Sequence, residues 1–255
     1  MSTFRTISRL DLKGDSVIKG MQLEGLRKIG DPRLMADKYA TDGADEILIV
    51  DAVASLYGRN HLTEIIKFVV SDLRIPLTIV GGIRNLEDAR MLFDIGADKI
   101  GINSAAIRNP SLISKIAGVY GSQSIVVSIE AKVANGNNSW VCMTENGRNT
   151  TGVTVESWML KLRDLGAGEV LVTSVDRDGM GKGPDFELCG AIREFTDLPL
   201  IYSGGISSTS DVSKLAEMKL DGVAVGRSLH NQKMSIHEIQ EFLYSRGIFT
   251  RKKDS

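Results

Sequence analysis

The hexapeptide Gly43-Ala44-Asp45-Glu46-Ile47-Leu48 returns later in the chain as Gly166-Ala167-Gly168-Glu169-Val170-Leu171, at an offset of 166 − 43 = 123. In both copies a glycine suited to ending a helix precedes an acidic residue and then an apolar run of strand character. A second pair keeps the spacing: Pro76-Leu77 leads to Gly81-Gly82-Ile83, and Pro199-Leu200 leads to Gly204-Gly205-Ile206, with 204 − 81 = 123. Two matches at one offset predict a duplicated half of four strand–helix units, a period far longer than that of a solenoid.

Working outward, nearly continuous apolar runs predict strands at Thr6–Asp11, Ile47–Asp51, Leu77–Val80, Lys99–Ile102, Ser124–Ile129, Val170–Ser174, Leu200–Tyr202 and Gly222–Val225. Such runs suit parallel strands covered on both faces. The intervening stretches carry helix punctuation. Asp31-Pro32 offers an N-cap and a first-turn proline, Asn85 an N-cap for a segment ending at Gly96, and Asn109-Pro110 another start. Leu62, Ile65, Ile66 and Val69 recur at helical spacing, and Gly166 follows the helix containing Trp158 and Leu162. A last helix is expected to bury Ile236, Ile239, Phe242 and Leu243, with a frayed tail at Arg251–Ser255. Eight strands, each followed by a helix, predict an α/β fold: a single (β/α)8 TIM barrel over residues 1–255. Two segments exceed the minimal barrel. A long first βα loop between Gly14 and Asp31 carries Lys19, Glu24, Arg27 and Lys28, and suits a lid. A hairpin insertion is expected at about 132–152, with turn signals Asn135-Gly136 and Asn146-Gly147.

Composition narrows the function. A net charge of −1 over 255 residues offers no general attraction for nucleic acid or an anionic membrane. No apolar run approaches the roughly 18 residues of a membrane span, and Met1-Ser2-Thr3-Phe4-Arg5 does not resemble a signal peptide. Two cysteines, Cys142 and Cys189, are too few for a disulfide scaffold, so a cytoplasmic protein is expected. His61, His230 and His237 have no zinc-site spacing, neither cysteine has an obvious histidine partner, and the glycines form no dinucleotide fingerprint. Neither a metal nor a cofactor is called for.

Chemistry is expected at the C-terminal ends of the strands. Asp11 in Arg9-Leu10-Asp11-Leu12, Glu130 in Ile129-Glu130-Ala131-Lys132, and Asp178 all fall at or beyond such ends, with Asp51 a further member. Carboxylates facing one another across a mouth would serve as general acid and base; the alternative is ordinary loop acids. Gly81-Gly82 with Asn103-Ser104, and Gly204-Gly205 with Gly226-Arg227, are either anion sites of bare backbone N–H groups or tight turns. Taken together, one in each half, they fit a ligand with two phosphates. At the opposite end Arg5, Glu46, Lys99 and Glu169 precede or begin strands, and should cluster as a salt-bridged ring closing the barrel.

Further stretches carry a resemblance: Gly30-Asp31-Pro32, Gly96-Ala97-Asp98-Lys99, Ile102-Asn103-Ser104-Ala105-Ala106, Asn109-Pro110-Ser111-Leu112-Ile113, Gly121-Ser122-Gln123 and Thr173-Ser174-Val175-Asp176-Arg177-Asp178-Gly179. Over nearly its whole length the chain resembles the HisF family, the cyclase subunit of imidazole glycerol phosphate synthase. The resemblance implies a partner glutaminase docking at the N-terminal rim, ammonia passing through the barrel, and a bis-phosphorylated ribulosyl aminoimidazole carboxamide (PRFAR) as substrate. The products would be imidazole glycerol phosphate and AICAR. It implies a catalytic carboxylate at Asp11, a mobile-loop lysine at Lys19, phosphate contacts at the glycine pairs, Asn103, Ser104 and Gly179, and an ammonia gate at Arg5, Glu46, Lys99 and Glu169. Two positions depart from the family: Glu130 stands where it has aspartate, and Val225-Gly226-Arg227-Ser228 where it has small residues. These keep open a paralogue that channels ammonia to another acceptor, such as a sugar of surface-polysaccharide synthesis. An isomerase of the same pathway would not need the rim residues, and a non-enzymatic stimulator of the glutaminase would not need Asp11 or the phosphate loops.

Overall fold

A computed structural model describes residues 3–52, 63–134 and 139–251, apart from the side chain of residue 72. His61, Leu62, the Asn135-Gly136 turn and the tail beyond Arg251 lie outside the described residues. Eight parallel strands close on themselves: β1 (Arg5–Lys13), β4 (Glu46–Asp51), β5 (Leu77–Val80), β6 (Lys99–Ile102), β7 (Ile125–Val133), β10 (Glu169–Ser174), β11 (Leu200–Ser203) and β12 (Gly222–Val225). Pairing runs in chain order around the ring, and the β7–β10 and β12–β1 pairs complete it. This is the expected (β/α)8 barrel, and each expected strand is present to within a few residues. Among the described residues no helix is long and apolar enough to cross a membrane.

Alternation along the strands divides the chain into two packing zones. On β1, Leu10 and Leu12 point outward into the core shared with the helices, where Ile47, Ile49, Leu77, Ile79 and Tyr202 are also fully buried. Ile7 points inward and joins Leu48, Val80, Val126, Leu171, Ile201 and Ala224 in an apolar layer across the bore. Truncating one member, as in Leu171→Ala, would cost about 2–5 kcal/mol, because closed neighbours relax poorly around a cavity.

The helices start and stop where their punctuation dictates. Asp31 and Asn85 accept backbone N–H bonds from Leu34 (3.0 Å) and Asp88 (2.9 Å), and Gly166 ends the helix Val155–Leu165 with φ of 92°. Ile66 and Val69 of the helix Thr63–Asp72 are buried as expected. Phe242 is only half-buried: it turns one face to the Arg246 guanidinium, 5.3 Å from the ring centre, and leaves Ile236, Ile239 and Leu243 to fill the core.

The duplication extends to individual hydrogen bonds. Asp98 accepts from the Leu77 N–H (2.8 Å) and Asp221 from the Leu200 N–H (2.9 Å), both at the 123-residue offset (221 − 98 = 200 − 77). Gly81 and Gly204 adopt φ of 104° and 109°, and a Cβ on either would lie within 2.9 Å of a strand-end carbonyl, Asp51 O or Ser174 O. Only glycine fits there.

The long first βα segment is not an irregular loop. It forms two strands, β2 (Ser16–Met21), antiparallel to β1, and β3 (Glu24–Gly30), antiparallel to β2, with Gln22 and Leu23 at positive φ in the turn. Burial of Val17, Ile18 and Leu23 gives this hairpin an inner face that charge-rich composition concealed. In the second half β8 (Trp140–Thr144) and β9 (Asn149–Thr154) extend β7 in the same way. The two hairpins meet over the mouth: Asn146 Nδ2 donates to Leu23 O at 3.2 Å, and Leu23 packs with Met143 and Val175.

Candidate active site

Asp11 projects into the C-terminal mouth two residues above Arg9, so both side chains lie on the inner face of β1. The Arg9 Nε donates to Asp11 Oδ1 at 2.7 Å. Strand β2 folds back along β1, with Ile18 paired to Asp11, and brings Lys19 over the mouth. Lys19 Nζ donates to Asp11 Oδ2 at 2.7 Å and reaches both Asp178 oxygens at 3.1 and 3.2 Å. Four charged groups, two of each sign, are therefore buried as one cluster. Burial would raise the Asp11 carboxyl, but the cations Arg9 and Lys19 outweigh it and hold it well below the usual carboxylate range. Burial would likewise lower Lys19, yet Asp11 and Asp178 keep it protonated.

Glu130 stands across the mouth on β7. Its Oε2 accepts from the Gly147 N–H at 2.8 Å, so the Asn146-Gly147 turn is aimed at the carboxylate. One side faces the cavity, but protein surrounds the rest. Burial pushes its pKa up to about 7, although Gly147 and the more distant Arg9 pull it back. The two opposed acids thus differ in kind: Asp11 is locked as an anion, and Glu130 titrates near neutrality. Such divergence between neighbouring carboxyls is how acid and base roles are separated.

Two cavities open at this mouth. One, of about 120 Å³, is lined by Gly81, Gly82, Asn103, Ser104, Glu130 and Arg9, with Asp51 at its side. The other is lined by Lys19, Asp178, Gly179, Gly204, Gly205, Gly226, Arg227 and again Arg9, but encloses only about 20 Å³. That is about one water's room. Arg227 donates to Gly179 O at its edge, so a phosphate must displace Arg227 or Lys19 to enter. In the larger cavity Asn103 and Ser104 also tie down the second hairpin, through Asn103 Nδ2 to Met143 O (3.2 Å) and the Glu145 N–H to Ser104 Oγ (3.2 Å).

At the opposite end the four rim residues form a connected ring. Lys99 Nζ donates to Glu46 Oε2 and Glu169 Oε2, both at 2.8 Å; Arg5 pairs with Glu46 at 3.3 Å and with Glu169; and Thr78 Oγ1 donates to Glu46 Oε1 at 2.6 Å. Burial opposes the ionised Glu169, but Arg5 and Lys99 overcome it and lower its pKa.

The cysteines and the described histidines line neither cavity. Cys142 and Cys189 are buried, and burial pushes the Cys142 thiol up to about 12. His230 is held neutral by burial, which lowers it to about 4, and its Nδ1 lies 2.8 Å from the Tyr39 hydroxyl. His237 sits on the surface beside Glu241. The structure brings together the acids and glycine pairs singled out in the sequence. The functional group missed was Arg9. Its signal was a cation at an inward-facing position of an otherwise uncharged strand interior, two residues before Asp11.

Known proteins match this arrangement over most of the chain. A family model described as a histidine biosynthesis protein matches residues 5–235. The imidazole glycerol phosphate synthase subunit HisF of Legionella pneumophila is 48% identical over 211 residues, covering 83% of this chain and 99% of that protein. The HisF subunits of Dictyoglomus thermophilum and Pyrobaculum aerophilum are 39% and 40% identical, each covering 97% of this chain and 98% of their own length. The chain belongs to the HisF family, the cyclase subunits of imidazole glycerol phosphate synthase.

Proposed function

We propose that this chain runs the family's reaction, conversion of PRFAR and ammonia to imidazole glycerol phosphate and AICAR, with Glu130 as the proton-transfer group and Asp11 as a permanent anion. The observation that carries this is the contrast across the mouth: Asp11 is bonded by two cations, whereas Glu130 is held by the Gly147 N–H and the Asn103 side chain, neither of them a cation, and has a pKa of about 7. An acid that titrates near the working pH can both give and regain a proton. When ammonia adds to the substrate ketone, the nitrogen lone pair forms the C–N bond and the C=O π pair moves to oxygen. The neutral Glu130 carboxyl would protonate that oxygen, and its carboxylate would then take a proton from the ammonium nitrogen, leaving a carbinolamine. Asp11 would stabilise the transient positive charge on nitrogen without titrating.

The two glycine pockets would hold the phosphates, with Asn103, Ser104 and Gly179 at their walls and Lys19 and Arg227 swinging aside to become phosphate partners. Fixing both ends of the substrate converts ring closure into an intramolecular reaction with a large entropic advantage. A glutaminase subunit at the N-terminal rim would supply ammonia past Arg5, Glu46, Lys99 and Glu169, and the pair would work in the cytoplasm. The crowded second pocket favours one rival, a paralogue delivering ammonia to a different acceptor. Purified chain given ammonium salt and PRFAR should release both products in equal amounts. If PRFAR is untouched at saturating ammonium, the rival takes its place.

A further inference from the structure

Arg9 is 4% exposed and crosses the bore just above the apolar layer formed by Ile7, Leu48, Val80, Val126, Leu171, Ile201 and Ala224. Its Nη1 donates to Thr173 Oγ1 on β10 at 2.9 Å and to Ser203 Oγ on β11 at 3.1 Å, and its Nε to Asp11. Neither β10 nor β11 is hydrogen-bonded to β1, so the side chain spans the interior rather than the wall. A guanidinium has five N–H groups. These bonds engage Nε and Nη1, and Nη2 has no partner among the described residues. Among the described residues, Arg9 alone of the cationic side chains lines both glycine pockets. Nη2 is not among the buried unpartnered atoms, so it opens onto the mouth and presents two N–H donors to whatever occupies the cavity.

We propose that Arg9 is a substrate-contacting residue, whose Nη2 donates to an oxygen acceptor on the segment joining the substrate's two phosphates. The inference rests on the bis-phosphate reading above. Thr173, Ser203 and Asp11 clamp the guanidinium plane, so the free edge has a fixed direction. A ketone or hydroxyl oxygen midway between the two pockets is the group it suits. The contact strengthens if that oxygen gains charge as ammonia adds, so kcat should suffer as well as affinity.

The test is equilibrium binding of PRFAR without ammonia, by calorimetry, together with ammonium-supported kcat and KM, for wild type, Arg9→Met and Arg9→Lys. Inorganic phosphate binding is measured alongside, since it reports on the glycine pockets without the segment that joins the two phosphates. Loss of a hydrogen bond to a charged donor predicts a fall of about ten- to a hundredfold in PRFAR affinity in both variants. A further drop in kcat should accompany it, with phosphate binding weakened less than PRFAR binding. Arg9→Lys keeps the charge and a bond to Asp11, so it remains informative if Arg9→Met does not fold. Folded variants that bind and turn over PRFAR like wild type, differing only in melting temperature, would overturn the role of Arg9 while leaving the bis-phosphate reading intact. A wild type that binds phosphate but not PRFAR would overturn both.

Discussion

Replacing Glu130 by glutamine should separate activity from stability. Glutamine is nearly isosteric, and its amide oxygen can still accept the Gly147 N–H bond that Glu130 takes at 2.8 Å. It cannot transfer a proton. General acid–base catalysis contributes about 10²–10⁴-fold, so ammonium-supported kcat should fall by that factor. Wild-type activity requires the neutral carboxyl, so it should decline as pH rises through about 7; the residual activity of Glu130→Gln should lack this limb. Stability moves the other way. A carboxyl raised from 4.5 to about 7 binds more protons folded than unfolded between those values, so wild-type stability falls as pH rises across that window. Above it, glutamine is spared the buried charge, a gain of up to about 3 kcal/mol. Urea unfolding at pH 5 and pH 9 should show the variant close to wild type at the lower pH and more stable at the higher. A variant with kcat within threefold of wild type and the same pH limb would refute the assignment of Glu130 as proton carrier.

Other perturbations address the ends of the site. Glu130→Asp withdraws the carboxylate by roughly 1 Å, away from Gly147, and should lower ammonium-supported turnover about a hundredfold; a gain in rate would mean that the pocket is not fitted to glutamate. Lys99→Met leaves Arg5 as the one cation bonded to Glu46 and Glu169 among the described residues, and should cost about 2–3 kcal/mol in urea unfolding, less than for a fully buried pair because Lys99 is partly exposed. The pKa of Glu169 is lowered on folding, so the ring's contribution is present above about pH 4.5 and lost as pH falls through the folded value; wild type and Lys99→Met should converge in acid. Gly204→Ala forces a Cβ to 2.8 Å from Ser174 O at a φ of 109°. Its unfolding free energy should drop by about 1–3 kcal/mol, and PRFAR affinity should weaken with it.

The barrel was legible because duplication and strand-length apolar runs are local signals: the 123-residue offset found in the glycines reappears in the Asp98 and Asp221 hydrogen bonds. The carboxylates and glycine pairs were legible because a barrel puts every strand end on one face. What sequence concealed depends on contacts between distant residues. The segment Ser16–Gly30 looked like a loop because Lys19, Glu24, Arg27 and Lys28 mask its alternation, yet Val17, Ile18 and Leu23 give it a buried side. Arg9 went unnoticed because its partners, Thr173 and Ser203, are 164 and 194 residues away. The contrast between Asp11 and Glu130 arises because Arg9 and Lys19 bond Asp11, whereas burial raises Glu130 against the pull of the Gly147 N–H; Lys19 and Gly147 lie 8 and 17 residues from the acids they touch.

The most direct measurement is product formation by the purified chain at pH 7 with saturating ammonium salt and PRFAR, following AICAR and imidazole glycerol phosphate separately. Equal release of the two, slowed at least about a hundredfold in Glu130→Gln and unaffected by the absence of any glutaminase, is the predicted result. Intact PRFAR after exhaustive incubation with wild-type protein would contradict it.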